Sequence, residues 1–227
     1  MIAIIPARGG SKGLPNKNTK LLNGKPLICY TIDAALAAPE ISRVIVSTDN
    51  IEIAKIAIQN NAEVPFIRPK YLATDTALAV DNYIYTIERL NSESKSKIRS
   101  FIVLQPTSPL RISEDISKAI ELFKIKKADS VISYTEENHP IYWHKRINDD
   151  FSFKNIFKEQ LLNRQDYQPS YYPNGAIFIF DVDLIKQKKY YSQKSYAYIM
   201  PKKRSVDIDT LQDFEYAEFL INKNINE

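Results

Sequence analysis

The stretch Met1-Ile-Ala-Ile-Ile-Pro-Ala-Arg-Gly-Gly-Ser-Lys-Gly-Leu-Pro-Asn-Lys-Asn18 sets the reading of the whole chain. Residues 2–5 form a short, wholly apolar run of the kind that makes a strand buried on both faces. The run passes directly into a loop whose three glycines, Gly9, Gly10 and Gly13, are threaded with three cations, Arg8, Lys12 and Lys17. Glycine lets backbone N–H groups come close to a ligand, and the cations meet its negative charge. A strand ending in such a loop predicts an α/β fold that holds a polyphosphate at the strand's carboxyl end. The loop is not a Walker P-loop, because the Gly-Lys-Ser/Thr ending is absent, and it lacks the GxGxxG spacing of a dinucleotide fold.

Outward from this loop, apolar runs alternate with helical periodicity. Pro26 sits where a first helical turn tolerates it, ahead of a stripe of Leu27, Ile28, Ile32, Ala35 and Leu36. Residues 44–47 read as a second strand, and Thr48-Asp49-Asn50 as the cap of a helix reaching about Asn60. Residues 64–67 read as a short third strand. A helix over 77–90, a strand at 101–104, a helix over 113–126 and a strand at 130–134 continue the rhythm. This alternation predicts a Rossmann-like, mostly parallel sheet flanked by helices. Ligands bind beyond the carboxyl ends of the strands in such sheets, so residues 8–17, Thr48-Asp49 and residues 105–111 are expected to converge.

The rhythm breaks over residues 136–173. This excursion is rich in aromatics (Tyr142, Trp143, Phe151, Phe153, Phe157, Tyr167, Tyr171, Tyr172) and carries a turn at Asn148-Asp149-Asp150. Residues 142–147 and 151–154 are expected to pair across that turn as a hairpin. The excursion is read as a lid or dimerisation element inserted in a single domain of residues 1–227. The core resumes with strands at 175–180 and 196–200, a helix near 182–188 and a last helix over about 210–222.

Composition excludes several classes. The chain has 227 residues, 44% of them apolar, and a net charge of +4. That charge is too mild, and its basic residues too dispersed, for a nucleic-acid binder. The single cysteine, Cys29, rules out an intrachain disulfide and reads as a buried thiol in a reducing compartment. No run approaches the ~20 apolar residues of a membrane span. The apolar strand comes first, unlike the basic-then-apolar order of a signal peptide, so a cytoplasmic protein without membrane or nucleic-acid partners is expected.

Near the other end, Asp207 and Asp209 flank Ile208. In an extended segment this spacing puts both carboxylates on one face, where a hard cation relieves their repulsion. Alternatively Asp209 or Thr210 simply caps the last helix, with Gln212 or Asp213 closing a capping box. Local sequence leaves both readings open.

The first loop, Pro6-Ala-Arg-Gly-Gly-Ser-Lys-Gly-Leu-Pro-Asn-Lys-Asn18, resembles the signature of the sugar-activating cytidylyltransferases. It is most similar to the N-acylneuraminate cytidylyltransferases (CMP-sialic acid synthetases), including those for legionaminic and other nonulosonic acids. The resemblance continues in the family's order through Arg68-Pro69, Thr74-Asp75-Thr76, Leu104-Gln-Pro-Thr-Ser-Pro-Leu-Arg111, Arg164-Gln165, Pro173-Asn-Gly-Ala-Ile177 and Asp207-Ile-Asp209. It implies a fold of the nucleotide-diphospho-sugar transferase type and a reaction in which CTP and a nonulosonic acid give the CMP-sugar and pyrophosphate. It further implies Mg²⁺, a homodimer and a place in surface polysaccharide biosynthesis. The alternatives are a related nucleotidyltransferase using GTP or 3-deoxy-manno-octulosonic acid, and a non-catalytic nucleotide-sugar binder.

The same resemblance assigns roles. Arg8 and Lys12 would meet the β- and γ-phosphates, and Lys17 the α-phosphate. The amides of Gly9, Gly10 and Ser11 would complete the cradle, with Asn18 at the α-phosphate or ribose. Arg68 would donate to the pyrimidine carbonyl, beside Ala77. Gln105 is assigned to the acyl-amino group of the sugar, Arg164 to its carboxylate or else to an interface, and Asn174 to the sugar or a backbone turn. Asp207 and Asp209 would hold the metal, and Asp209 or a metal-bound water would take the proton of the attacking C2 hydroxyl. Arg111 would support its loop or meet phosphate, and Lys145 or His144 would add charge near the sugar; His139 and His144 otherwise read as structural. One departure stands out. Family members carry serines where this chain has Ala77-Leu78-Ala79, which leaves cytosine to be read by backbone groups.

Overall fold

Alternate residues of the first strand, β1 (Ile2–Pro6), bury on opposite sides of a sheet: Ile2 and Ile4 in one apolar cluster, Ala3 and Ile5 in another. A run that is apolar at every position is therefore what a strand covered on both faces requires. The computed structural model describes residues 1–10, 13–94, 96–158 and 162–223. After β1 come a short ribbon of β2 (Leu21–Leu22) and β3 (Lys25–Pro26), then α1 (Leu27–Leu36), β4 (Arg43–Ser47), α2 (Ile51–Gln59), α3 (Ala79–Ser92), β5 (Ser100–Leu104), α4 (Ser113–Lys126) and β6 (Ser130–Glu136). The excursion holds β7 (Lys145–Ile147) and β8 (Phe153–Asn155), and β9 (Tyr171–Asp181), α5 (Val182–Lys186), β10 (Ser195–Ile199) and α6 (Leu211–Asn222) follow.

The central sheet has the order β10-β6-β9-β5-β1-β4. The pairs β1–β4, β1–β5 and β10–β6 are parallel, while β9 runs antiparallel between β5 and β6. One face is covered by α1, α2 and α4, through residues such as Ile28, Ile32, Ile53, Ile116 and Ile120. The other is covered by α3 and α5, through Val80, Tyr83, Ile87, Leu184 and Ile185. A third, smaller cluster of Leu14, Leu22, Leu27, Ile208, Phe214 and Ala217 pins the first loop to the segment before α6. Each fully buried Leu, Ile or Phe contributes roughly 1.5–3 kcal/mol by leaving water, so this satellite core firmly joins two distant stretches of sequence.

Local chemistry explains most boundaries. The Asn50 side chain accepts from the amides of Glu52 and Ile53 and starts α2. Thr210 and Asp213 form a reciprocal capping box at α6. The expected strand at 64–67 is not formed. Glu63 makes a single bridge to Ile45, and Pro65, which has no N–H to give a ladder, follows at once. Asp207 and Asp209 lie in no strand; they follow a 3₁₀ turn at Lys202–Arg204. Leu36, placed in the α1 stripe, is 44% exposed at the helix end. Among the described residues no helix is long and apolar enough to cross a membrane.

Candidate active site

The carboxyl ends of β1 and β5 open onto a cleft of about 430 Å³. Its walls include Arg8, Gly13, Lys17, Asn18, Arg68, Ala77, Gln105 and Asp209, so residues from five separate stretches of sequence meet there.

Each cation is held by a distinct device. Arg8 leaves the end of β1, pairs with Asp75 at 3.0 Å and donates to the Thr74 carbonyl at 3.1 Å, so it spans the cleft mouth. Lys17 is nearly buried, and its Nζ donates to the Ile208 carbonyl at 2.5 Å and to Asp209 Oδ1 at 3.0 Å. Arg68 is 5% exposed and lies 3.7 Å from Asp49. Burial pushes its guanidinium below the usual arginine range, against the pull of Asp49, and its Nε has no partner. Unpaired buried donors are uncommon, and this one sits at the cleft wall.

The first loop and the last helix meet through a close approach. A Cβ on Gly13 would stand 2.4 Å from the Asp209 carbonyl oxygen, so only glycine fits. Gly175 plays the second such part. Its φ is 75°, and a Cβ there would stand 3.1 Å from Asp207 Oδ2 and 3.2 Å from Gln105 Oε1. Gln105 and Asp207 thus flank one point of β9. Asp207 keeps an exposed edge, yet the surrounding protein pushes its carboxyl above the ordinary carboxylate range. The Asp209 charge adds to this, and hydrogen bonding to Thr107 opposes it.

The remaining predicted residues are distributed as follows. Asn18 donates to the Arg8 carbonyl at 3.0 Å and so braces the loop from within. Gly9 gives its N–H to Asp49 at 3.0 Å, so that amide is already engaged and not offered to a phosphate in this conformation. Gly10 has open space around it. Ser11 and Lys12 lie outside the described residues. Asn174 is 2% exposed and wholly engaged: its Oδ1 accepts from Ser133 and from the Ala176 amide, and its Nδ2 donates to Ser205 and faces Met200 Sδ. It holds the start of β9 and borders a second hollow with Asp207, Lys202 and Tyr172. Arg164 is at neither wall; it is exposed and donates to the Asn138 carbonyl at 2.8 Å, on the rim of that hollow. Arg111 is buried and donates to the carbonyls of Ala176 at 2.8 Å and Gln105 at 3.3 Å, which is the supporting role. His139 stacks on Trp143.

Several residues of the cleft carried no assignment in the sequence. Asp75 lies within a quoted motif, but its partner is 67 positions away by number and only folding reveals it. Asn82 and Tyr83 belong to an apolar helical stripe and look like core, yet both line the cleft, Asn82 accepting from Ser47 at 2.8 Å. Among the described residues no three or more His, Cys, Asp or Glu gather as a metal cage. Asp207 and Asp209 nevertheless offer two hard oxygen donors beside the cations. Mg²⁺ binds through one or two carboxylates with phosphate oxygens and water, so this donor set fits it.

A family model described as Cytidylyltransferase matches residues 2–227. The chain is 38% identical over 217 residues to the N-acylneuraminate cytidylyltransferase of Streptococcus agalactiae serotype V, covering 94% of this chain and 51% of the relative. It thus spans about half the length of the streptococcal relatives it matches. It is 37% identical over 232 residues to the CMP-N,N'-diacetyllegionaminic acid synthase of Legionella pneumophila, covering 99% and 97% of the two chains. Among solved structures, a CMP:2-keto-3-deoxy-manno-octonic acid synthetase complexed with CTP superposes with a TM-score of 0.73 at 15% identity, covering 98% of each chain, which bears on the fold.

Proposed function

Since this chain belongs to the cytidylyltransferase family, we propose that it joins CTP to a nonulosonic acid, sialic, legionaminic or related, giving the CMP-sugar and pyrophosphate. The observation that carries this reading is the convergence of Arg8, Lys17, Arg68, Gln105 and Asp209 on one cleft.

In this reading Lys17 serves the α-phosphate, where negative charge grows as the C2 hydroxyl attacks. The bond to the α-phosphorus forms as the bond to the departing pyrophosphate breaks. Ile208 and Asp209 already hold Lys17 in place, and a cation fixed before the reaction needs no reorganisation during it. Arg8 takes the leaving phosphates, exchanging Asp75 for them. Gly10, Ser11 and Lys12 complete the phosphate loop, and Asn18 sets its shape through the Arg8 carbonyl. The unpartnered donor of Arg68 supports contact with the pyrimidine, beside Ala77. Gln105, in the cleft, meets the acyl-amino group, and Arg164, on the rim of the second hollow that Asn174 borders, meets the sugar carboxylate. Asp207 and Asp209 would hold Mg²⁺, which when bound would offset phosphate charge. Asp209, with its side chain 76% exposed, or a metal-bound water would take the hydroxyl proton.

The same proposal includes a homodimer in the cytoplasm. Ile147, Phe151 and Phe153 on the β7–β8 hairpin are 64%, 88% and 64% exposed, a concentration of apolar surface suited to a second copy. Cys29 is buried as a free thiol, and burial pushes its ionisation up, in keeping with a reducing compartment. The test is pyrophosphate release with Mg²⁺, each of the four nucleoside triphosphates and a panel of nonulosonic acids. Turnover with CTP and at least one of these sugars is expected. Turnover with none of them overturns the reading, and turnover with GTP in place of CTP overturns its nucleotide half.

A further inference from the structure

We propose that Asp115 and Arg204 form a clasp that positions the Asp207–Asp209 segment, which makes Arg204 a positioning residue for the reaction. The inference rests on the reading of Asp207, Asp209 and Gln105 given above.

Asp115 lies in the first turn of α4 and is 1% exposed. Its Oδ2 accepts from the Ile112 amide at 3.2 Å, which is all that helix capping asks of it. It does considerably more. Arg204 grips both oxygens, Nε to Oδ2 at 2.9 Å and Nη2 to Oδ1 at 2.9 Å, and the Tyr198 hydroxyl adds a bond to Oδ1 at 3.1 Å. A two-pronged guanidinium–carboxylate pair fixes direction as well as distance.

Arg204 closes the 3₁₀ turn at Lys202–Arg204, three residues before Asp207. The clasp therefore fixes the upstream end of the segment. Its middle is tied by the Ile208 amide to the Thr107 carbonyl at 2.8 Å, and its downstream end by Asp213, which accepts from the amides of Asp209 and Thr210. The Asp115 charge also offsets that of Arg111, whose Nη1 holds the carbonyls of Gln105 and Ala176. One buried carboxylate thus serves both the turn that carries Gln105 and the segment that carries the two aspartates.

The shared charge makes the idea testable. With Arg204 removed, Asp115 still accepts from the Ile112 amide and the Tyr198 hydroxyl, so the chain is expected to fold. Arg204→Met and Arg204→Lys would be compared with the unaltered protein in three readouts: Mn²⁺ affinity in the presence of CTP by water-proton relaxation, kcat with KM for CTP, and thermal melting. A misplacement of about 1 Å in an active site can cost ~10²-fold in rate; with its other ties intact, about tenfold is expected here. Arg204→Met should weaken Mn²⁺ binding and lower kcat each by about tenfold, with CTP affinity in the absence of metal within about twofold, and Arg204→Lys should fall between. Unchanged Mn²⁺ affinity in a folded Arg204→Met protein overturns the clasp, as does a lowered melting temperature with unchanged kcat below it. Failure of the unaltered protein to use any sugar, with Mn²⁺ binding still weakened in Arg204→Met, overturns the functional reading and leaves the clasp standing. An unaltered protein that binds no Mn²⁺ with CTP overturns both.

Discussion

Replacing Gly13 by alanine adds one methyl group and no charge, and it separates the two halves of the cleft. The new Cβ would stand 2.4 Å from the Asp209 carbonyl oxygen, whereas ordinary contact begins at 3.4 Å. The difference, 3.4 − 2.4 = 1.0 Å, is the distance by which the first loop and the Asp209 backbone must part. Gly13 does not occupy the left-handed region, so alanine accepts its backbone dihedrals and the clash is the whole effect. Overpacking of this kind costs about 1–3 kcal/mol of stability. A separate effect falls on catalysis, because Lys17 sits on the moving loop and is bonded to Ile208 and Asp209 on the other side. A displacement of that size costs about 10²-fold in rate, or roughly 2.7 kcal/mol. The assay is pyrophosphate release at saturating CTP and sugar, with a thermal melt and circular dichroism to confirm folding. A folded Gly13→Ala protein with kcat within about twofold of the original would refute the argument that the loop and the Asp209 backbone must touch.

Three further outcomes are expected. Asn174→Ala leaves Ser133, the Ala176 amide and Ser205 short of a buried partner, so urea unfolding should show a loss of about 2–3 kcal/mol; a loss below about 0.5 kcal/mol would contradict its place as a hub. Arg43 grips Glu63 with bonds of 3.0 and 2.7 Å and holds its carboxyl below the ordinary carboxylate range. A depressed carboxyl stabilises the fold above its unfolded value and loses that contribution as pH falls through the folded one. The pair is half exposed, so Glu63→Gln should cost no more than about 0.5 kcal/mol at pH 7 and nothing near pH 3; a difference that persists at the acid end would refute the assignment. Phe151→Ser with Phe153→Ser should convert a dimer to a monomer in light scattering without lowering the melting temperature of the monomeric core, and a protein that is monomeric before substitution would end that idea.

Much of the core was legible because its signals are local. The unbroken apolar run of β1, the Asn50 cap and the Thr210–Asp213 box each declare themselves within a few residues. Arg8, Lys17 and Gln105 were legible as residues of one cleft because strand ends on one edge of a parallel sheet must meet. Less local facts were not readable. Nothing in residues 175–180 states that β9 runs antiparallel, since alternation carries no direction. Residues 64–67 mislead because β-prone side chains surround Pro65, which withholds the N–H a ladder needs. Asn174 and Arg111 sit in motifs that suggest ligand contact, but the fold uses the polar atoms of Asn174 on its own backbone and side chains, and Arg111 gives its Nη1 to two carbonyls while its Nε and Nη2 stay without a partner. Asp115 reads as an ordinary helix-capping residue until Arg204, eighty-nine positions later, comes to rest against it.

The reversed direction of β9 has a consequence for how such a chain can change over generations. Glu136 pairs with Tyr171, and the Glu137 amide donates to the Ser170 carbonyl, so the excursion leaves and rejoins the sheet at one point. Its two ends are fastened together whatever lies between them. Lengthening a loop whose ends are already joined costs little, about 0.6 kcal/mol for each doubling. The hairpin can therefore be lengthened, shortened or exchanged without altering the register of a single core strand. The cleft at the strand ends and the surface carried by the excursion are thus free to evolve at different speeds.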